Sequence, residues 1–145
     1  MKRRGLARPL RESAFAAFVL LLAASRGSAA PSAALYTRCA RACQACAAAC
    51  RACDAHCSEM VKSGMKQYSH SAGLSADCGE ICALAGKICA RKGPLAVELC
   101  KACQRACAAC GAECSKHKDM APMAACARSC AACGKACADM VAAGK

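Results

Sequence analysis

The chain has 145 residues, 18 of them cysteine, with no tryptophan, two tyrosines and two phenylalanines. Only ten Leu, Ile or Val residues follow position 30, so the 57% hydrophobic content is mostly alanine and cysteine. An ordinary oily core is therefore excluded, and one domain is what the length allows; its interior must be thiol, or something bound to thiol. The net charge is +12, but six of the 21 basic residues and one of the nine acids lie in the first thirty, which leaves +7 beyond them. These charges are scattered singly, and two tyrosines offer little to stack on, so a nucleic-acid partner is excluded and a solvated helix exterior is expected.

Met1–Ala30 has the three parts of an export signal. Lys2, Arg3, Arg4, Arg8 and Arg11 form a positive start, and Ala14–Ala24 is an apolar run too short for a membrane span of ~20 residues. Gly27-Ser28-Ala29 or Ser28-Ala29-Ala30 then offers a cleavage site. The run Arg3-Arg4-Gly5-Leu6-Ala7-Arg8 resembles a twin-arginine signal, which carries proteins folded, with thiols already sequestered. The expectation is an exported protein, periplasmic or extracellular rather than cytosolic. Residues 31–145 then form one cysteine-rich domain without a membrane span.

In that domain, Cys39, Cys43, Cys46, Cys50, Cys53 and Cys57 are separated by alternating steps of four and three, the period of one stripe along a helix. The intervening Ala, Arg, Gln, Glu and Lys favour helix. The spacing predicts a first helix from about Leu35 to Lys62, ending before Gly64. A second carries Cys78, Cys82 and Cys89, with Ala85 on the missing rung. It is expected to start near Ser75–Asp77 and to close on Arg91-Lys92, a C-terminal Gly93, and Pro94. Ile81, Leu84 and Ile88 form a second stripe on it, expected to pack into the bundle rather than against another subunit. Gly79 and Gly86 leave room for a close neighbour. A third helix, about Leu95–Lys116, carries Cys100, Cys103, Cys107, Cys110 and Cys114. A fourth, opened by Pro122 and fading at Gly144, carries Cys126, Cys130, Cys133 and Cys137. Short connections make neighbours antiparallel. The expected fold is all-α, an antiparallel up-down-up-down four-helix bundle with a cysteine-lined core.

Three chemistries compete for this ladder. Small secreted disulfide scaffolds space their cysteines through loops, and bridges within a helix are strained. Zinc or iron–sulfur ligation needs closed sets of four, and a continuous stripe shows no such grouping. Cu(I) fits best, because thiolate selects it and two or three sulfurs suffice. Exchanging a thiol proton for Cu⁺ also leaves the charge unchanged, sparing the penalty of isolated buried ions. Many ions per chain are expected. The rivals left standing are a detoxifying thiol protein for zinc, cadmium or silver, and a disulfide-stapled secreted structural protein.

Helices with alternating C-x-x-C and C-x-x-x-C resemble the bacterial copper storage proteins, over essentially the whole of residues 31–145. The resemblance implies a four-helix bundle whose inward cysteines hold many Cu(I) ions. The segment Cys53-Asp54-Ala55-His56-Cys57-Ser58-Glu59-Met60 is similar to the end of the first helix in exported members. It implies that His56 and Met60 bind copper near the bundle mouth.

Antiparallel topology also brings His117, Met120 and Met123 to that end. Imidazole and thioether are weaker, exchangeable ligands, suited to a port through which copper enters. Met65 is a poorer candidate, His70 is read as a loop histidine, and Met140, at the other end, as core filling. No nucleotide-binding glycine loop is present, the isolated acids sit on helix exteriors, and His56 beside Cys57 is mere adjacency. The expected role is therefore a non-catalytic copper store. Its partners are copper ions, with room left for copper donor and acceptor proteins and for a homo-oligomer.

Overall fold

The computed structural model describes residues 30–144; the leader read at Met1–Ala30 lies, apart from its last residue, outside them. Helix α1 (Ala33–Lys62) starts on Ser32, whose Oγ accepts the Leu35 N–H at 3.2 Å, an N-cap that satisfies one orphan donor. It ends at Gly64, which sits at φ +100°. The Gly64 N–H bonds the Val61 carbonyl and the Met65 N–H bonds the Met60 carbonyl, each at 3.0 Å. This pair of reversed bonds needs a left-handed residue, which glycine supplies without strain.

Helix α2 (Ser69–Ala90) begins earlier than the expected Ser75–Asp77, because a 3₁₀ turn at Lys66–Tyr68 runs straight into it. Ser71 and Ser75 are therefore interior, fully buried positions and not caps. Their hydroxyls find partners on a neighbouring helix instead of on their own backbone. His70 lies in the first turn of α2, exposed, and not in a loop. At the other end the left-handed residue is Lys92, φ +53°, and not Gly93. Lys92 N–H bonds Cys89 O at 3.0 Å and Gly93 N–H bonds Ile88 O at 2.9 Å. Gly93 is needed for space, since an added Cβ would lie 3.0 Å from Ile88 Cγ2.

Helix α3 (Ala96–Cys114) tightens into a 3₁₀ turn at Ser115–His117 and does not continue to Lys116 as α-helix. Helix α4 (Ala121–Ala143) has Pro122 in its first turn, where a missing N–H costs nothing, and is capped by Gly144.

Helix α1 packs on α2 and α4, and α3 packs on the same two, so the four form a square. Sulfur pairs give the register. Across one diagonal, Cys39–Cys100, Cys46–Cys107 and Cys53–Cys114 meet at 3.5, 3.8 and 3.6 Å with one constant offset, 61 residues, so α1 and α3 run parallel. Against α4 the numbers run oppositely: Cys39–Cys137, Cys43–Cys133, Cys46–Cys130 and Cys50–Cys126, at 3.6–3.9 Å. This is the up-down-up-down order.

Gly86 and Gly79 face α1 at close range, as expected: their added Cβ atoms would lie 3.3 Å from Cys43 Cβ and 3.5 Å from Cys50 Cβ. The second stripe of α2 divides. Ile88 is buried and Ile81 packs at the core's edge, but Leu84 is 49% exposed and does not enter the bundle. Arg38 and Asp139 tie the start of α1 to the end of α4 at 3.1 Å, an exposed pair of small energetic weight. Among the described residues no helix is long and apolar enough to cross a membrane.

Candidate metal centre

Every cysteine is free and at most 2% exposed, so the heptad seams that ordinarily hold leucine form a continuous thiol interior. No disulfide staples the described residues. Sulfurs approach at 3.4–4.0 Å from Cys39 near one end to Cys114 near the other. A stripe read along one helix shows no set of four, but the fold makes such sets across helices, which corrects the expectation that fourfold grouping is absent. Cys46, Cys78, Cys107 and Cys130, one from each helix, lie mutually within 4.8 Å. So do Cys46, Cys82, Cys107 and Cys133, and so do Cys43, Cys103, Cys133 and Cys137. Cys46, Cys107 and Cys133 each belong to two of these sets, as a bridging thiolate must.

At the end defined by Cys39 the array finishes in sulfur alone. Cys39, Cys89 and Cys100 form a triangle with sides of 3.5, 3.6 and 3.8 Å, and Met140, three residues beyond Cys137 on α4, is fully buried. Met140 is thus a core residue, as read. The opposite end gathers the imidazoles and the other thioethers. His56 is half-buried, and its Nε2, shielded from solvent, has no hydrogen-bond partner among the described residues. Met60 and Met120 pack partly buried against the core, and Met123 is fully buried. The His117 ring packs tilted, at 57°, against buried Tyr68 with 5.1 Å between centroids. Met65 is 39% exposed.

Two polar residues in this region, Ser71 and Glu113, were not singled out from the sequence, and Ser75 was read only as the start of α2. Ser71 Oγ donates to Glu113 Oε1 at 2.9 Å, and Lys116 Nζ bonds Glu113 Oε2 at 2.6 Å. Glu113 is only 8% exposed, so the expectation that acids lie on helix exteriors fails here. Lys116, with help from Ser71 and the charge of His70, holds its carboxyl below the usual range against the cost of burial. Ser75 Oγ lies 3.8 Å from Cys110 Sγ. The available signal was spacing: residues 71 and 75 continue the stripe of Cys78 and Cys82, and Glu113 follows Cys110 by three.

The array cannot ionise freely. Burial leads in pushing the Cys57 thiol up to about 12, with the neighbouring Cys53 and Asp54 adding to it. At the other end, a thiolate at Cys39 is favoured by the S–H groups around it, Cys100 first, whereas Cys100 first, then Cys39 and burial, hold Cys89 protonated. Each buried thiolate thus requires protonated neighbours unless a cation replaces their protons.

Fold and site together define a class, a helical bundle whose core is a buried thiolate array for soft metal ions. Residues 32–142 match the profile of the copper storage protein family, and the chain belongs to that family. It is similar to a Cu(I)-bound copper storage protein of Bacillus at 37% identity, covering 73% of this chain and 98% of that one, with a TM-score of 0.67. It is also similar, at 28% identity, to a cytosolic copper storage protein of Streptomyces lividans described with five coppers; coverage is 76% and 94%, and the TM-score 0.69. Copper-free copper storage protein 3 from Bacillus subtilis matches at 36% identity, with 72% and 96% coverage and a TM-score of 0.63. No curated protein matches. The cytosolic description of the Streptomyces protein goes against the expected periplasmic or extracellular location, and the export reading is withdrawn.

Proposed function

We propose that this protein is a non-catalytic Cu(I) store that loads many ions along the axis of its bundle. The observation that carries the reading is the set of 18 free, buried thiols, spaced so that neighbouring sulfurs can share an ion. A Cu⁺ that displaces a thiol proton adds no net charge to a buried site, so filling can proceed along the array. Bridging sulfurs allow on the order of one ion per thiol, because Cu(I) accepts two or three thiolates. The Bacillus relative is described as Cu(I)-bound, and the Streptomyces relative with five coppers, which supports Cu(I) as the cargo here.

The cysteines from Cys39 to Cys137 are the storage ligands in this reading. His56, Met60, His117, Met120 and Met123 form the port. The unpartnered, shielded Nε2 of His56 supports its role, since a buried imidazole nitrogen without a partner is costly unless a ligand occupies it. Copper enters on these weaker ligands and passes to thiolate at Cys57 and Cys53.

The thiol quartets favour one second reading, storage of a divalent thiophilic ion such as zinc or cadmium. Sulfurs at the corners of a tetrahedron around zinc, at about 2.3 Å each, are about 3.8 Å apart, and Cys46–Cys107 and Cys46–Cys130 measure 3.8 and 3.7 Å. Four thiolates around a divalent ion leave two negative charges in the core, however, and that cost grows with every ion added. Anaerobic titration of the reduced protein against a competing Cu(I) chelator, with thiol counting, tests the choice. Tight uptake well beyond a single closed site, with loss of reactive thiols, is expected; saturation after one or two ions contradicts it.

A further inference from the structure

The stripe of α2 that faces the core runs Ser71, Ser75, Cys78, Cys82, Ala85, Cys89, the same alternating spacing that α1 fills with cysteine alone. Register against α3 makes the serines true rungs. Cys82 meets Cys103 at 3.4 Å, Cys78 meets Cys107 at 3.9 Å, Ser75 meets Cys110 at 3.8 Å, and Ser71 meets Glu113 at 2.9 Å. Both serines are fully buried, so solubility does not account for them. A sulfur is a poor partner for a buried hydroxyl, and the alanine that fills the other empty rung, Ala85, would have carried no polar cost.

Around these rungs the sulfur network thins. In mid-array Cys130 lies within 4.0 Å of Cys46, Cys50, Cys78 and Cys126. Cys110 still shares a set of four with Cys50, Cys78 and Cys130, all within 4.8 Å; past it Cys53 and Cys114 meet at 3.6 Å, at the level where α2 offers serine and no cysteine. We propose that Ser75, seconded by Ser71, interrupts the thiol array and makes Cys53, Cys57 and Cys114 an exchange zone, from which Cu(I) leaves faster than from the rest of the core. This rests on the Cu(I) storage reading and adds to it where in the array the exchangeable copper sits.

The chemistry is that of softness. A serine hydroxyl has nearly the shape of a cysteine thiol but is a hard, neutral donor that Cu(I) does not favour over thiolate. An ion at Cys53 or Cys114 thus lacks a sulfur that α2 supplies to ions one turn deeper. In release, a competing chelator takes the Cu(I) as the departing thiolate sulfur gains a proton from solvent. Copper stays monovalent and no electron moves.

Full-length protein, loaded anaerobically with Cu(I), is mixed with excess chromophoric Cu(I) chelator, and release is followed as wild type, Ser75→Cys and Ser75→Ala. Wild type is expected to release a fast fraction ahead of a slow one. Ser75→Cys should bind more copper and lose the fast fraction. Ser75→Ala, which removes the hydroxyl without adding sulfur, should keep it. Far-UV circular dichroism and a count of reduced thiols verify that each variant is folded and that the added cysteine is free. Single-phase release from wild type, an undiminished fast fraction in folded Ser75→Cys, or its loss in Ser75→Ala overturns the proposal. Wild type that takes up no copper array overturns the storage reading beneath it, a result the release arms do not resemble.

Discussion

Gly86 on α2 faces Cys43 on α1 so closely that an added Cβ would stand 3.3 Å from Cys43 Cβ and 3.3 Å from the carbonyl oxygen of Ala40. Neither atom is the free end of a flexible side chain, so α1 itself would have to move. Gly79, one heptad earlier, has its nearest neighbours at 3.5 Å or more. The two glycines should therefore answer alanine differently. Gly79→Ala should stabilise the copper-free protein by about 0.5–1 kcal/mol, the usual gain from removing glycine inside a helix. Gly86→Ala should forfeit that gain, and Gly86→Val should cost about 1–3 kcal/mol by overpacking. Chemical denaturation of the reduced protein measures all three.

Copper should raise the melting temperature. The core holds few large aliphatic side chains, and an ion bound only by the folded state stabilises it by mass action. Calorimetric melts of reduced apo and Cu(I)-loaded protein should differ, with the gap widening as more copper is loaded. Coincident melts would mean that copper binds outside the folded core.

Glu113 predicts an acid-side dependence. Its carboxyl is held below the usual range, chiefly by Lys116, so the unfolded chain takes up its proton first as pH falls. The contribution is complete above the unfolded carboxyl value, near 4.3, and is lost as pH drops through the lower folded value. Glu113→Gln retains an oxygen for Ser71 and loses the ion pair with Lys116. Its stability curve should be flatter than wild type across that acid window, measured by denaturation of the apo protein at a series of pH values.

The bundle was legible because alternating steps of three and four put all the cysteines of a helix on one face. The end of α1 at Gly64 was equally plain, since glycine is the residue a left-handed cap demands. The start of α2 was not. Serine serves both as an N-cap and as a buried hydroxyl, and only the partners of Ser71 and Ser75 on α3 decide between the two. Lys92 takes the left-handed position that Gly93 was expected to fill because Gly93 is required one residue later, against Ile88. Thiol quartets such as Cys46, Cys78, Cys107 and Cys130 have no trace in any one helix, since they come from the register between four. Glu113 was hidden by its charge, which reads as surface until Lys116 and Ser71 are seen to satisfy it.

Met140 gives a control for the role of the other thioethers. It is fully buried, three residues beyond Cys137, which meets Cys39 at the end opposite the histidines. Met140→Ala should cost about 2–5 kcal/mol of apo stability as a large-to-small core change, and copper capacity should be unaltered. Met123→Leu conserves volume and should cost under about 1.5 kcal/mol while slowing the loading of copper. Stopped-flow uptake of Cu(I) from a weak donor, read beside equilibrium denaturation, separates the two effects.

The most direct measurement of the central claim is a crystal structure of the Cu(I)-loaded protein with anomalous scattering recorded at the copper edge. The account predicts a line of copper peaks along the bundle axis between the sulfurs of α1 to α4, from the Cys39, Cys89 and Cys100 triangle to the port at His56 and His117. Copper confined to surface histidines, or a core of disulfides without metal, would contradict it.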